Sequence, residues 1–157
     1  MSLPNSTRKP KVFLDASALF AAVFSAQGAA RLILKLAESD IVELVVSSQV
    51  VAEAEGALRR KAPEVLGHMA LLLDRARCQV VNNPTLEQVK ACQSVVSCLP
   101  DAAVLATAVE TCADYLVTLD RQHFLENPLL MASPPLPIGT PGDLLVWFRD
   151  KVDRWQS

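Results

Sequence analysis

Four carboxylates in this chain stand where they could do chemistry. Asp15 ends the short apolar run Val12, Phe13, Leu14, and Asp120 lies two residues beyond Thr118, at the end of a second such run. Glu53 sits about one and a half turns into a segment opened by Ser47 and Ser48. Asp101 follows Pro100 at the head of an alanine-dense stretch. Each acid has an ordinary reading by itself. An Asp at a strand end caps a helix or closes a turn. Asp101 would compensate a helix dipole, and Glu53 would pair with the downstream cations Arg59, Arg60 and Lys61. Together they mean more. Like charges gathered in one cleft repel and raise one another's pKa unless a cation holds them. An all-oxygen donor set selects the hard ions Mg2+ or Mn2+.

The neighbours of these acids fit the same chemistry. Ser17 and Thr118 offer hydroxyls that either orient carboxylates and waters from outside the metal shell or cap the local backbone. Arg59, Arg60, Lys61, Arg75, Arg77 and Arg121 are candidates for phosphate contacts; a run of cations at a helix end is also simply a solvated face. Asp114 falls between a helix end and a strand, where it opposes the helix dipole, so a structural hydrogen bond is expected of it. The two histidines lie in unrelated segments. His68 reads as filler, and His123 is expected to flank the acidic site rather than bind metal. The four cysteines, Cys78, Cys92, Cys98 and Cys112, show no CxxC spacing, which argues against zinc.

The elements that must position these groups follow from patterning. Val12 to Leu14 reads as a strand and 16–23 as a helix. Residues 28–38 place apolar side chains at 30, 33, 34 and 37, one helical face. The β-branched run 41–46 is a buried strand, and Ser47 with Ser48 caps a helix to about Lys61. Pro63 opens a helix to about Ala76, with Val65, Leu66, Met69, Leu72 and Leu73 along one stripe. Residues 78–81 form a third strand, 85–95 a helix, 100–112 a helix and 115–118 a fourth strand. Four prolines between 127 and 139 predict loop there, with a short edge strand near Ile138. Thr140 to Asp143 is a capping box launching a last helix to about Arg154. This alternation predicts a three-layer α/β/α sandwich around a mostly parallel sheet. In such sheets, ligands bind beyond the carboxyl ends of the strands.

Composition narrows the function classes. The chain has 157 residues, 51% of them hydrophobic and 20% charged, with a formal net charge of −2. That is one globular domain, over 11–155, behind a leader at 1–10 expected to be disordered. The charge excludes a basic nucleic-acid coat, so nucleic-acid binding must be local or metal-mediated. Aromatic residues at 5% argue against a stacking platform for bases. Charged residues interrupt every apolar stretch, which excludes a membrane span. The polar N-terminus is no signal peptide, so reduced thiols in a cytoplasm are expected.

The motifs resemble those of PIN-domain ribonucleases. The first strand with Asp15 and Ser17, the helix with Ser48 and Glu53, the helix opening at Asp101, the stretch from Ala113 through Thr118 to Asp120, and the terminal Thr140-Pro141 helix are similar to that family's elements in the same order, over about 11–150. The resemblance implies a sheet whose first and fourth strands are neighbours, with Asp15, Glu53, Asp101 and Asp120 above them. It implies Mg2+- or Mn2+-dependent cleavage of RNA. It also implies, as in the VapC-like toxin group, an antitoxin partner and a homodimer. A processing nuclease and a catalytically dormant PIN-like module acting through a protein or RNA partner are the alternatives. A phosphoacceptor receiver domain fits less well, because no Lys ends the fifth strand. A phosphohydrolase with an Asp nucleophile would want an acid at position 17, where Ser stands.

Overall fold

In a computed structural model, residues 8–156 are described. Strands β1 (Lys11–Leu14), β2 (Glu43–Ser47), β3 (Gln79–Val81), β4 (Tyr115–Val117) and β5 (Ile138–Gly139) form one sheet in the order β3-β2-β1-β4-β5. Every pairing is parallel. β1 lies between β2 and β4, with Phe13 opposite both Val45 and Leu116. The chain leaves β1 toward β2 on one side and returns to add β4 on the other. The β1/β4 boundary is therefore the switch point at which a crevice opens above the strand ends. The expected α/β sandwich and the adjacency of the first and fourth strands are both present.

Eight helices cover the sheet among the described residues: α1 (Ala16–Phe24), α2 (Ala29–Glu38), α3 (Ser48–Lys61), α4 (Leu66–Arg75), α5 (Leu86–Cys92), α6 (Leu99–Glu110), α7 (Pro128–Ala132) and α8 (Pro141–Gln156). A parallel sheet covered on both faces needs strands apolar throughout, and Val12, Phe13, Leu14, Leu44, Val45, Leu116 and Val117 are all buried. α2 buries Ala30, Ile33, Leu34 and Ala37, the face its periodicity marks. α6 is sunk from Ala102 to Ala108; its alanines let a helix approach the sheet closely.

The ends of the elements are set by local chemistry. Ser47 accepts a hydrogen bond from the Val50 amide and starts α3. Thr140 and Asp143 exchange side chain-to-amide bonds and start α8. Pro63–Val65 is a single 3-10 turn ahead of α4. The stretch from 127 to 139 departs from expectation: it contains α7, because Asn127 accepts from the Leu130 amide and Pro128 occupies the first helical position, where a missing amide costs nothing. Of the expected leader, residues 1–7 lie outside the described residues. Arg8 pairs with Asp114 and Lys9 with Asp40. Asp114 also accepts from the Lys11 amide at 2.7 Å, the structural bond expected of it. No described helix is by itself long and apolar enough to cross a membrane.

Candidate active site

Asp15 continues β1 by one residue, its amide donating to the Val117 carbonyl, and it also caps α1. Its carboxylate is buried and fully engaged. Oδ1 accepts from Ser17 Oγ at 2.6 Å and from the Ala18 amide at 2.9 Å, and Oδ2 accepts from Thr118 Oγ1. Burial pushes its carboxyl above the ordinary value. The Ser17, Thr118 and Ala18 donors pull it back, and the charge of Asp120 pushes it up again.

Both hydroxyls act across elements. Ser17 Oγ accepts from the Leu119 amide at 3.0 Å, and Thr118 Oγ1 accepts from the Asp120 amide at 3.0 Å. Each oxygen therefore ties the β1–α1 junction to the segment leaving β4, with Asp15 at the centre. Two of these bonds, Ser17 to Asp15 and the Asp120 amide to Thr118, span two positions, and the other two join segments more than a hundred apart.

Asp120 opens a π-type turn, Arg121–Leu125, in which the Leu125 amide reaches back to the Asp120 carbonyl and that of Glu126 to the Arg121 carbonyl. The wider turn carries His123 over the acids. Asp120 Oδ1 accepts from the His123 amide, and Oδ2 lies 2.9 Å from His123 Nδ1. The same ring nitrogen lies 3.2 Å from Asp101 Oδ2. Asp101 arrives from the first turn of α6, where the helix dipole favours its charge. The hydrogen bond to Asp120 holds the imidazole pKa above its ordinary value. Partial burial opposes this, and the charges of Asp101 and Asp120 add to it. When protonated, this imidazole is the counter-charge between the two carboxylates. Asn127 fixes the turn by donating to the carbonyls of His123 and Val95.

Glu53 stands at the rim. It is exposed on α3, and its Oε1 accepts from Gln49 Nε2 at 3.0 Å; that amide also donates to the Pro100 carbonyl, next to Asp101. It lines one cavity with Ser17 and Leu119 and another with Leu99 and Pro100. Of the four acids read from the sequence, Asp15, Asp101 and Asp120 are joined through Thr118 and His123, and Glu53 is joined at one remove through Gln49. Arg59, Arg60 and Arg121 are exposed, the first two in the last turn of α3. Arg77 donates to the Glu38 carbonyl, and His68 is exposed on α4.

Sequence spacing did not reveal a second grouping. Cys98, just before α6, shares a locality with Asp101 and His123, their ligand atoms all within 4.8 Å of one another. The Asp101 carboxylate pushes the Cys98 thiol above its ordinary pKa. Cysteine spacing could not find this set, because its members come from two elements and only one is a cysteine.

A family model described as PIN domain matches residues 11–122. Curated protein sequences give no match. Among solved structures, the VapBC2 complex of Rickettsia felis bound to a promoter DNA fragment is 15% identical. The match covers 82% of this chain and 96% of that one, with a TM-score of 0.61. A toxin–antitoxin complex from Klebsiella pneumoniae is 19% identical, covering 83% and 97%, with a TM-score of 0.61. VapC20 of Mycobacterium tuberculosis, a sarcin–ricin-loop-cleaving toxin, is 16% identical, covering 73% and 94%, with a TM-score of 0.54. At these identities the likeness is one of fold.

Proposed function

The chain belongs to the PIN-domain family, and from that premise we propose that it is a divalent-metal-dependent ribonuclease, acting as the toxin of a toxin–antitoxin pair. One observation carries the reading: Asp15, Asp101 and Asp120 come from three elements to the carboxyl edge of the neighbouring strands β1 and β4, with an imidazole between two of them. Their donor set is oxygen, the chemistry of Mg2+ or Mn2+. A carboxylate at Asp15 that burial disfavours and two acids that need a cation between them are what such an ion would relieve. Asp15, Asp101 and Asp120 would hold the ion, with Glu53 completing that site or serving a second. When bound, the ion would lower the pKa of a coordinated water and offset charge on the phosphate.

The chain's own residues do the positioning. Ser17 and Thr118 fix both oxygens of Asp15, so the carboxylate meets its ligand in one orientation. Protonated, His123 is the cation between Asp101 and Asp120, a place that a metal ion on those carboxylates would take over. Arg59, Arg60 and Arg121 are exposed and would take the phosphates of an RNA strand that the acids themselves repel. An antitoxin partner accords with the fold shared with toxin–antitoxin complexes. A homodimer and a cytoplasmic location belong to the same reading.

The test is cleavage of a mixed RNA pool with Mn2+ and with chelator, wild type against Asp15→Asn. Cleavage is expected from the wild type with metal alone. A folded Asp15→Asn protein with full activity refutes the assignment. A wild type whose melting temperature does not rise with Mn2+ is a dormant module instead, since binding to the native state alone must raise it.

A further inference from the structure

We propose that Cys98, Asp101 and His123 form a second metal site, for a borderline transition ion of the zinc class, beside and partly shared with the acidic centre. The three side chains bring one sulfur, one carboxylate oxygen and one ring nitrogen within 4.8 Å of one another. Zinc bonds of about 2.0–2.3 Å to these atoms put tetrahedral ligands roughly 3.3–3.7 Å apart, so modest side-chain rotation closes the set. His123 Nδ1 and Asp101 Oδ2 already stand at 3.2 Å. Asp120 Oδ2 lies 2.9 Å from the same Nδ1, and an ion bound there would take the place of that contact.

The donor types decide the ion. A thiolate and an imidazole select Zn2+ over Mg2+, whereas the acids alone select the reverse. Cys98 is half-buried, and its thiol faces the carboxylate and amide of Asp101 at the start of α6. The other three cysteines lie outside the group. Binding exchanges protons for the ion: S–H breaks as S–metal forms, a proton at Nδ1 leaves as N–metal forms, and both pass to solvent. Asp101 belongs to both donor sets. If the nuclease reading holds, an ion on Cys98 and His123 competes for a ligand of the hard-metal centre; the binding itself does not depend on that reading.

The experiment uses the reduced, chelator-treated, full-length protein titrated with Co2+ as the spectroscopic stand-in for zinc. A thiolate-to-cobalt charge-transfer band should grow to saturation at one equivalent, be displaced by Zn2+ and resist excess Mg2+. It should vanish in Cys98→Ser and His123→Gln and persist in Cys112→Ser. The same Co2+ should protect Cys98 of the wild type from alkylation, mapped by mass spectrometry, a readout that needs no variant to fold. Absence of the band from the wild type, its survival in Cys98→Ser, or alkylation of Cys98 unaffected by Co2+ overturns the proposal. Asp15→Asn separates the two readings, because it should lose RNA cleavage and keep the band. Metal-dependent cleavage without the band refutes the second site alone.

Discussion

Thr118→Val isolates what holds the acidic centre together. Thr118 is fully buried; its hydroxyl donates to Asp15 Oδ2 and accepts from the Asp120 amide. Valine keeps the volume and removes both bonds. A bond to an ionised group contributes about 1.5–3 kcal/mol. The orphaned Asp120 amide adds about 1–2 kcal/mol, at the low end for such groups because Asp120 is half-exposed. The new buried methyl returns about 0.8 kcal/mol. The net loss is about 2–4 kcal/mol in metal-free protein at neutral pH, which for a chain of this size lowers the melting temperature by roughly 5–15 °C.

The pH dependence makes the test sharper. Burial already raises the Asp15 carboxyl, and losing a donor to its charged form raises it further. The native state then binds its proton more tightly than the unfolded chain, so stability falls as pH rises through the interval between the unfolded and folded values. The gap between wild type and variant should therefore widen from about pH 4.5 to about pH 7. Thermal melts with chelator at both values measure it, with Thr118→Ser as the control that keeps the hydroxyl. Equal losses in the Val and Ser variants at neutral pH, or a gap that does not change with pH, would refute the role given to this bond.

In metal-free protein, NMR titration should find the His123 imidazole above the ordinary histidine value of about 6.5. Its stabilisation is full below the unfolded pKa and fades as pH rises through the folded one; Mg2+ should pull the value down. A His123 value at or below the ordinary one sinks the bridging role. Gly139→Ala should cost about 1–3 kcal/mol or more in a denaturant melt. Its Cβ would overlap Tyr115 Oη and lie 2.8 Å from Asp143 Cβ, at the start of α8. Asp114→Ala should cost about 1–2 kcal/mol, through the lost bond to the Lys11 amide and the exposed pair with Arg8. It should leave the thermal shift with Mn2+ unchanged; a weakened metal response would show that Asp114 serves the site.

What the sequence made legible was local. The buried face of α2, the Ser47 cap and the Thr140–Asp143 box each depend on residues within a few positions of one another. The strand ends carrying Asp15 and Asp120 were legible because apolar runs stop there. α7 was missed because five residues show no periodicity, and Pro128 counts as a breaker until Asn127 is seen to cap. The π-type turn has no sequence signature, so the reach of His123 to Asp101 could not be read from its nearness to Asp120 in the chain. The hydroxyls of Ser17 and Thr118 were legible as residue types only. The hold of Thr118 on Asp15 requires the β1–β4 pairing, a relation between residues a hundred positions apart, whereas Ser17 reaches Asp15 from two positions along.

A proton on His123 would offset the charges of Asp101 and Asp120. Hydrogen bonding to Asp120 raises the His123 pKa, and burial raises that of Asp15. A divalent ion that takes these carboxylates must reverse these shifts and draw charge away from the imidazole, so its binding releases protons. Affinity for Mg2+ or Mn2+ must then rise with pH across the range in which His123 and Asp15 titrate, and flatten once both are deprotonated. A centre built from exposed, unperturbed carboxylates would show no such slope near neutrality, because its ligands would already be ionised. The slope of metal affinity against pH, taken from thermal shifts at several Mn2+ concentrations, therefore reports whether the ion enters among these residues. A flat profile around neutral pH would mean that it binds elsewhere on the chain.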